Sequence, residues 1–326
     1  DEDQVGYAYP EEDGTYIITG LLAGTYRVEF SAWNQNVIDQ WHNNKADFDS
    51  ADQITLGTAQ NKAGINATLK KGASISGKVS VPAGKDVTEV QITAYDENEN
   101  YVRSTQPDED GKYVIVGLAN GSYRVEFSAW GQELAPQWFN NKADFYSATP
   151  VTVKGSEKKT GINANMQKTA GFSGKVTAPA GVELTGVDVE VYDSAGDTAG
   201  YAYVEEDGTY QVTGLVAGTY KVRFASWGEN VTDQWYKGKR TFESATPITL
   251  KAGEDKTGVN VDLKKGATIS GTMSVPSGYD TDRVWAVVVD SAGGWVTYAG
   301  ADDEGQYKMV GLSPGTYKVV FESSYD

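Results

Sequence analysis

A ten-residue segment recurs along this chain at a fixed interval. GTYRVEFSAW ends at Trp33, GSYRVEFSAW at Trp130 and GTYKVRFASW at Trp227; a fourth copy, GTYKVVFESS, starts at Gly315, 97 residues after Gly218. A second tryptophan (Trp41, Trp138, Trp235) and the glycine of a Ser-Gly pair (Gly77, Gly174, Gly271) keep the same step. No insertion or deletion breaks the period over 326 residues. Such a period constrains the fold more than composition does, because each copy must be one folding unit or a fixed part of one.

LKKGASISGKV, MQKTAGFSGKV and LKKGATISGTM read as unit starts. They divide the chain into a back part at 1–70, complete units at 71–167 and 168–264, and a front part at 265–326. The incomplete outer pieces lead us to expect a window from a longer array. The opening DEDQVGYAYP has neither a basic nor an apolar region, so we expect no signal peptide in it.

Composition narrows the function. Forty-five acidic against 28 basic side chains give a net charge of -17, spread over all four pieces, which disfavours a nucleic-acid partner. With no cysteine there is no disulfide, thiolate nucleophile or zinc–thiolate cluster, and one histidine leaves little scope for imidazole catalysis. No apolar run is long enough for a membrane span.

Within 71–167 the pattern is that of short strands. Ile75, Gly77 and Val79 alternate, as do Val90, Ile92 and Ala94. Residues 101–106 and, after the DEDG turn, 112–116 follow. Tyr123, Val125 and Phe127 then alternate with Arg124 and Glu126, and 151–154 and 161–166 complete the unit. The turn before the fifth strand reads LLAGT, LANGS, LVAGT and LSPGT, and Pro314-Gly315 suits a type II turn. No helical period persists. We therefore expect an all-β chain of tandem seven-stranded Greek-key β-sandwiches. Seven alternating strands put the termini at opposite ends, which favours a head-to-tail rod of roughly 35–40 Å per unit.

These residues resemble a known family. SGKV, then VxVYD, then DEDGKYVIVGLANGSYRVEF is similar to the carboxypeptidase regulatory-like domain, near in fold to transthyretin and to the B-type repeats of bacterial collagen adhesins. The resemblance implies an Ig-like or transthyretin-like sandwich serving as stalk, spacer or accessory module. Tandem copies with a Trp-Tyr loop look like long bacterial surface proteins.

The candidate contact residues lie on the long loop after the fifth strand: Trp33 and Trp41; Trp130, Trp138 and Phe139; Trp227, Trp235 and Tyr236. Long loops in compact domains often carry a task. One reading packs the loop over an end of the sandwich against the next unit. The other makes it a carbohydrate platform, with tryptophans stacking on sugar rings and Gln40, Gln137 and Gln234 bonding hydroxyls. The acidic turns at Asp13, Asp110 and Asp207 are calcium candidates, although Asp-Gly before a strand is also ordinary turn chemistry. We otherwise expect no metal or cofactor. An internal Lys–Asn isopeptide bond, implied by the collagen-adhesin likeness, would draw on Lys78 or Lys175 with Asn66, Asn163 or Asn260. Sequons occur at Asn66, Asn120 and Asn230. No nucleophile, base and orienter assemble, so no enzyme is expected.

The resulting expectation is a structural segment of an extracellular bacterial surface stalk, adhesin or filament, touching neighbouring repeats and other copies in a fibre. The alternative is a carbohydrate-binding array for wall or host glycans.

Overall fold

The computed structural model describes residues 3–226, 228–276 and 283–323. They are all-β apart from three single-turn 3-10 segments. Two compact units form, one from Asp1–Gln132 with Pro136–Met166, the other from Glu133–Ala135 with Gln167–Asp326.

The first unit contains a two-sheet sandwich. In one sheet, Ala73–Ser80 is central, with Lys112–Leu118 antiparallel on one side and Lys158–Lys159 and Ala164–Asn165 parallel on the other. In the facing sheet the order is Tyr101–Thr105, Gln91–Tyr95, Gly121–Ser128, and the last strand's outer edge is shared by Gln137–Trp138 and Val151–Val153. Counting 158–165 as one interrupted strand gives seven main strands, and the parallel match of first and seventh follows from their odd number. Alternation works as the sequence implies: Tyr123, Val125 and Phe127 are buried, as are Ile75, Ile92 and Ile115 from the strands around them.

Two side-chain bonds fasten the last strand to the first sheet. Tyr113 donates its hydroxyl to the Ile162 carbonyl at 2.6 Å, and Asn163 Oδ1 accepts the Lys78 backbone N–H at 2.8 Å. The backbones approach so closely that a Cβ on Gly77 would lie 2.0 Å from the Ile162 oxygen. This approach explains the recurring Ser-Gly pair.

Residues 3–70 belong to the same unit but form only short pairs, Gly24–Tyr26 with Ile54–Leu56 and Glu29–Phe30 with Gln40–Trp41. The Tyr16 hydroxyl still reaches the Ile65 carbonyl at 2.6 Å. Val5, Tyr7, Tyr9, Ile17 and Leu22 stay exposed. Their equivalents in the complete repeats are exposed as well, Tyr201 and Tyr203 for Tyr7 and Tyr9, Val114 for Ile17 and Val216 for Leu22, so these positions belong to the outer face.

The second unit repeats the sandwich. Ala170–Thr177 lies between Thr209–Leu215 and the parallel pieces Asp255–Lys256 and Val261–Asp262. The facing sheet runs Thr198–Tyr203, Val187–Tyr192, Gly218–Ser226, then Gln234–Trp235 and Ile248–Leu250. Residues 265–323 add Ala267–Thr272 against Gln306–Leu312 and a sheet ordered Trp295–Gly300, Val284–Val289, Lys318–Ser323. Phe321, equivalent in sequence to the buried Phe127 and Phe224, is 54% exposed, because only the front strands are present to cover it.

Candidate functional site: the aromatic loop and the repeat joint

The long loop after the fifth strand divides into two halves with different partners. Its second half returns to its own sheet. Gln137 pairs with Phe127 and Trp138 with Glu126, which places Trp138 on the sheet face away from the core. A tight turn follows, closed by Trp138 N–H to Lys142 O at 2.8 Å and Lys142 N–H to Trp138 O at 3.0 Å. Asn140 and Asn141 take left-handed φ of 63° and 55°, as do Asn43 and Asn44 in the first copy. Asparagine tolerates this region, which accounts for the repeated Asn-Asn.

On that outer face the aromatic rings pack together. Trp138 meets Phe145 edge-on at 5.5 Å and Tyr95 at 5.3 Å, while the Arg124 guanidinium lies 4.4 Å from the Phe145 ring centre. The Tyr95 hydroxyl donates to Glu126 Oε2 at 3.1 Å. Burial and then the Glu126 charge push the Tyr95 phenol up to about 12. In the next repeat, Trp235 meets Phe242 and Tyr192, with Lys221 Nζ 3.8 Å from the Phe242 ring centre. In the first copy Trp41 meets Phe48, and Arg27 covers that ring. The second tryptophans are thus half-buried within their own copy. Gln40, Gln137 and Gln234 are buried, and Gln234 Nε2 donates to the Asp262 carbonyl at 3.0 Å. Phe139 and Tyr236 are half-buried, Tyr236 resting against its own sandwich core.

The first half of the loop meets the start of the following repeat. Ile38 N–H donates to Lys70 O at 2.8 Å, beside a bridge between Val37 and Lys71. The second unit repeats this with Thr232 N–H to Lys264 O and a Val231–Lys265 bridge. There too, Leu134–Ala135 pairs with Gln167–Lys168. Arg103 of the first complete repeat adds an ion pair to Asp39 at 2.6 Å. Burial and the Asp39 charge raise the nearby Glu29 carboxyl above its ordinary range, with Arg103 opposing them.

The first tryptophans stand apart from both contacts. Trp33 is 84% exposed and Trp130 90%. Gln132 anchors the Trp130 turn, accepting from Asp86 N–H at 2.8 Å and donating to Asp86 O at 3.1 Å. Trp227 lies outside the described residues.

The acidic turns are held by local bonds. Asp13 and Asp207 accept from the backbone and hydroxyl of Thr15 and Thr209, and Asp110 pairs with Lys112 at 2.8 Å. These hydrogen bonds hold all three carboxyls below their usual range, and the Lys112 charge adds to the effect on Asp110. Among the described residues, no three His, Cys, Asp or Glu side chains gather to hold a metal ion. For the isopeptide candidates, Lys78 is exposed, and Asn163 and Asn260 bond the Lys78 and Lys175 backbones instead.

Sequence reasoning overlooked Phe48, Phe145 and Phe242, and also Tyr95 and Tyr192. Their fixed offset from the second tryptophan was the available signal. It also overlooked Asn36 and took Asn230 only as part of a sequon; the role of each depends on a residue 81 positions away.

The family model for the carboxypeptidase regulatory-like domain matches residues 74–167 and 171–264, more than half of the chain. The chain belongs to this family. Relatives extend the likeness across nearly the whole chain. Serine-aspartate repeat-containing protein D of Staphylococcus aureus (strain Newman) is 27% identical over 370 residues, covering 98% of this chain and 28% of the relative. Serine-aspartate repeat-containing protein F of Staphylococcus epidermidis (strain ATCC 12228 / FDA PCI 1200) is 25% identical over 281 residues, covering 73% of this chain and 16% of the relative. The chain therefore spans under a third of the length of these relatives. Among solved structures, the minor pilin GBS52 of Streptococcus agalactiae is similar with a TM-score of 0.33 and 15% identity, covering 63% of this chain and all of that one. A streptococcal ancillary pilin scores 0.36 at 14% identity, covering 76% and 77%. Likenesses this distant carry no argument about function.

Proposed function

We propose that this carboxypeptidase regulatory-like array is a non-enzymatic segment of an extracellular bacterial surface protein, and that it works as a stiff spacer. The observation that carries this reading is the joint. The loop after the fifth strand spends its first half on backbone pairing with the next repeat's first residues, as in the bridges of Val37 with Lys71 and Val231 with Lys265 and the bonds of Gly72 N–H to Asn36 O and Gly266 N–H to Asn230 O. Repetition without insertion then sets reach rather than chemistry. The domain boundaries at 71–167 and 168–264 belong to the same proposal. Pulling single molecules of the full chain tests it. Each complete repeat should release roughly 300 Å of contour in a separate high-force event, from 97 residues at about 3.3–3.6 Å each less the roughly 35–40 Å that the folded unit already spans. A smooth, low-force extension overturns the stiff-spacer reading.

A second reading has its own observation. Trp33 and Trp130 present nearly whole indole faces to solvent, as a glycan platform requires. A recess beside Trp41, lined by Gln40, Asn43, Asn44, Asn66, Ala67 and Thr68, holds about 160 Å³. It falls below the roughly 300–1,000 Å³ usual for ligand pockets, so a glycan would lie on the surface. Retention on immobilised wall polysaccharide that falls with Trp130→Ala supports this reading; no retention removes it.

A further inference from the structure

Asn36 makes two bonds to the repeat that follows it. Its backbone carbonyl accepts from Gly72 N–H at 3.1 Å, and its side-chain Oδ1 accepts from Gly117 N–H at 2.9 Å. Gly72 opens the complete repeat, and Gly117 lies 45 residues further on, near the end of Lys112–Leu118. One residue, through its backbone carbonyl and its short side chain, therefore ties two distant points of the same domain to the loop that precedes it.

The surrounding backbones leave no room for a looser fit. A Cβ on Gly72 would sit 2.7 Å from Gly117 Cα, and one on Gly117 would sit 2.6 Å from the Val37 carbonyl oxygen. Gly117 also has φ of +77°, which L side chains rarely adopt. The second unit contains the same arrangement 194 residues later. Asn230 O accepts from Gly266 N–H at 3.1 Å, and Asn230 Oδ1 accepts from Gly311 N–H at 3.1 Å. A Cβ on Gly266 would lie 2.4 Å from Gly311 Cα, and Gly311 has φ of +76°.

The side-chain bond is separable from the backbone bond. At the intervening position the chain has Glu133, and opposite it Thr169 replaces the glycine. The backbone bond persists there, Thr169 N–H to Glu133 O at 2.8 Å. Gly214, the counterpart of Gly117 and Gly311, has open space where a Cβ would point.

We propose that Asn36 and Asn230 are positioning residues that fix the angle between consecutive repeats, each acting as a hydrogen-bond acceptor wedged against a paired-glycine contact. The proposal rests on the stiff-spacer reading and names the residues that supply the stiffness. It also gives the Asn230 side chain a task that the sequon does not describe, acceptance of the Gly311 N–H at Oδ1.

The test uses the full chain, which has no cysteine of its own. Single cysteines at the exposed strand positions Thr55 and Thr152 carry spin labels, and pulsed electron–electron resonance gives the distance distribution between them. Asn36→Leu removes the acceptor at similar volume, and Asn36→Asp keeps it. The expected result is a narrow distribution for the wild type and Asn36→Asp, a broadened one for Asn36→Leu, and faster hydrogen exchange at Gly117 only in the leucine variant. Circular dichroism checks that all three fold. If all three distributions are narrow, the lock is wrong and the spacer reading stands. If Asn36→Asp broadens like Asn36→Leu, the acceptor role is wrong. A broad wild-type distribution overturns the spacer reading and the lock together.

Discussion

The two complete repeats share a skeleton and differ in their charges. In both, a tyrosine hydroxyl reaches the carbonyl of the last strand, Tyr113 to Ile162 and Tyr210 to Val259. In both, an asparagine bonds the first strand, Asn163 to Lys78 N–H and Asn260 to Lys175 N–H. On the outer sheet face the partners change. In the first repeat Arg124 covers Phe145, and Tyr95 donates to Glu126. In the second, Lys221 covers Phe242, Tyr192 donates to Glu190, and Arg223 bridges Glu190 at 3.2 Å and Asp233 at 2.6 Å. The difference teaches which interactions tolerate exchange. A bond to a buried carbonyl has one geometry and leaves a costly orphan if lost. A partly exposed ion pair contributes about 0–1 kcal/mol and can be rewired.

Breaking the shared skeleton should have the largest effect. Gly77→Ala and Gly174→Ala would place a methyl 2.0 and 2.1 Å from the Ile162 and Val259 oxygens, the same carbonyls that accept the tyrosines. Each change should cost about 3 kcal/mol or more, at the upper end of overpacking. Thermal melts of the two variants should show similar losses; tolerance in either repeat would mean that the skeleton is not the fixed part. The outer face comes next. Trp138→Ala and Trp235→Ala should each cost about 2 kcal/mol, below the roughly 3–5 kcal/mol of a fully buried aromatic because these rings are half-buried. Trp130→Ala, at a ring 90% exposed, should stay within about 0.5 kcal/mol of the wild type. Urea titrations that rank Trp130 with Trp138 would overturn the division of the loop into packed and free aromatics.

The sandwich was legible in the sequence because its signals are local. Period-two alternation at Tyr123, Val125 and Phe127 and the glycine turns before them need only neighbouring residues to interpret. The loop was harder. Its length announced a task, yet the task of Trp138 depends on Tyr95, 43 positions earlier, and on Phe145 after a turn of left-handed asparagines. The paired tryptophans look alike in sequence, and only the register of Gln137–Trp138 on Gly121–Ser128 separates a packed ring from a free one. The asparagine at the joint was read as part of a sequon at Asn230, since nothing nearby marks Gly311 as its partner. Of the isopeptide candidates, Lys78 and Lys175 lie on the first strands of their repeats, and Asn163 and Asn260 accept from backbone donors there instead of meeting a lysine amine.

A small shift in titration sharpens the contrast between the outer faces. Burial raises both the Tyr95 and Tyr192 phenols, and the adjacent Glu126 or Glu190 raises them further, but Arg223 opposes the shift at Tyr192. A phenol whose folded pKa is raised binds its proton more tightly in the native state. Its stabilisation is therefore complete below the unfolded value near 10 and is lost as pH climbs to about 12, the folded value for Tyr95. Arg223→Gln removes the opposing charge, so Tyr192 should titrate later than in the wild type while Tyr95 is unchanged. NMR of ring-labelled tyrosine, followed from pH 9 to 12, reads both residues in one sample. The variant should lose no more than about 1 kcal/mol at neutral pH, as expected for a partly exposed pair. If Tyr192 does not move, burial and Glu190 set its environment without Arg223, and the exchange of Glu126 for Arg223 between the repeats has no electrostatic consequence at the aromatic cluster.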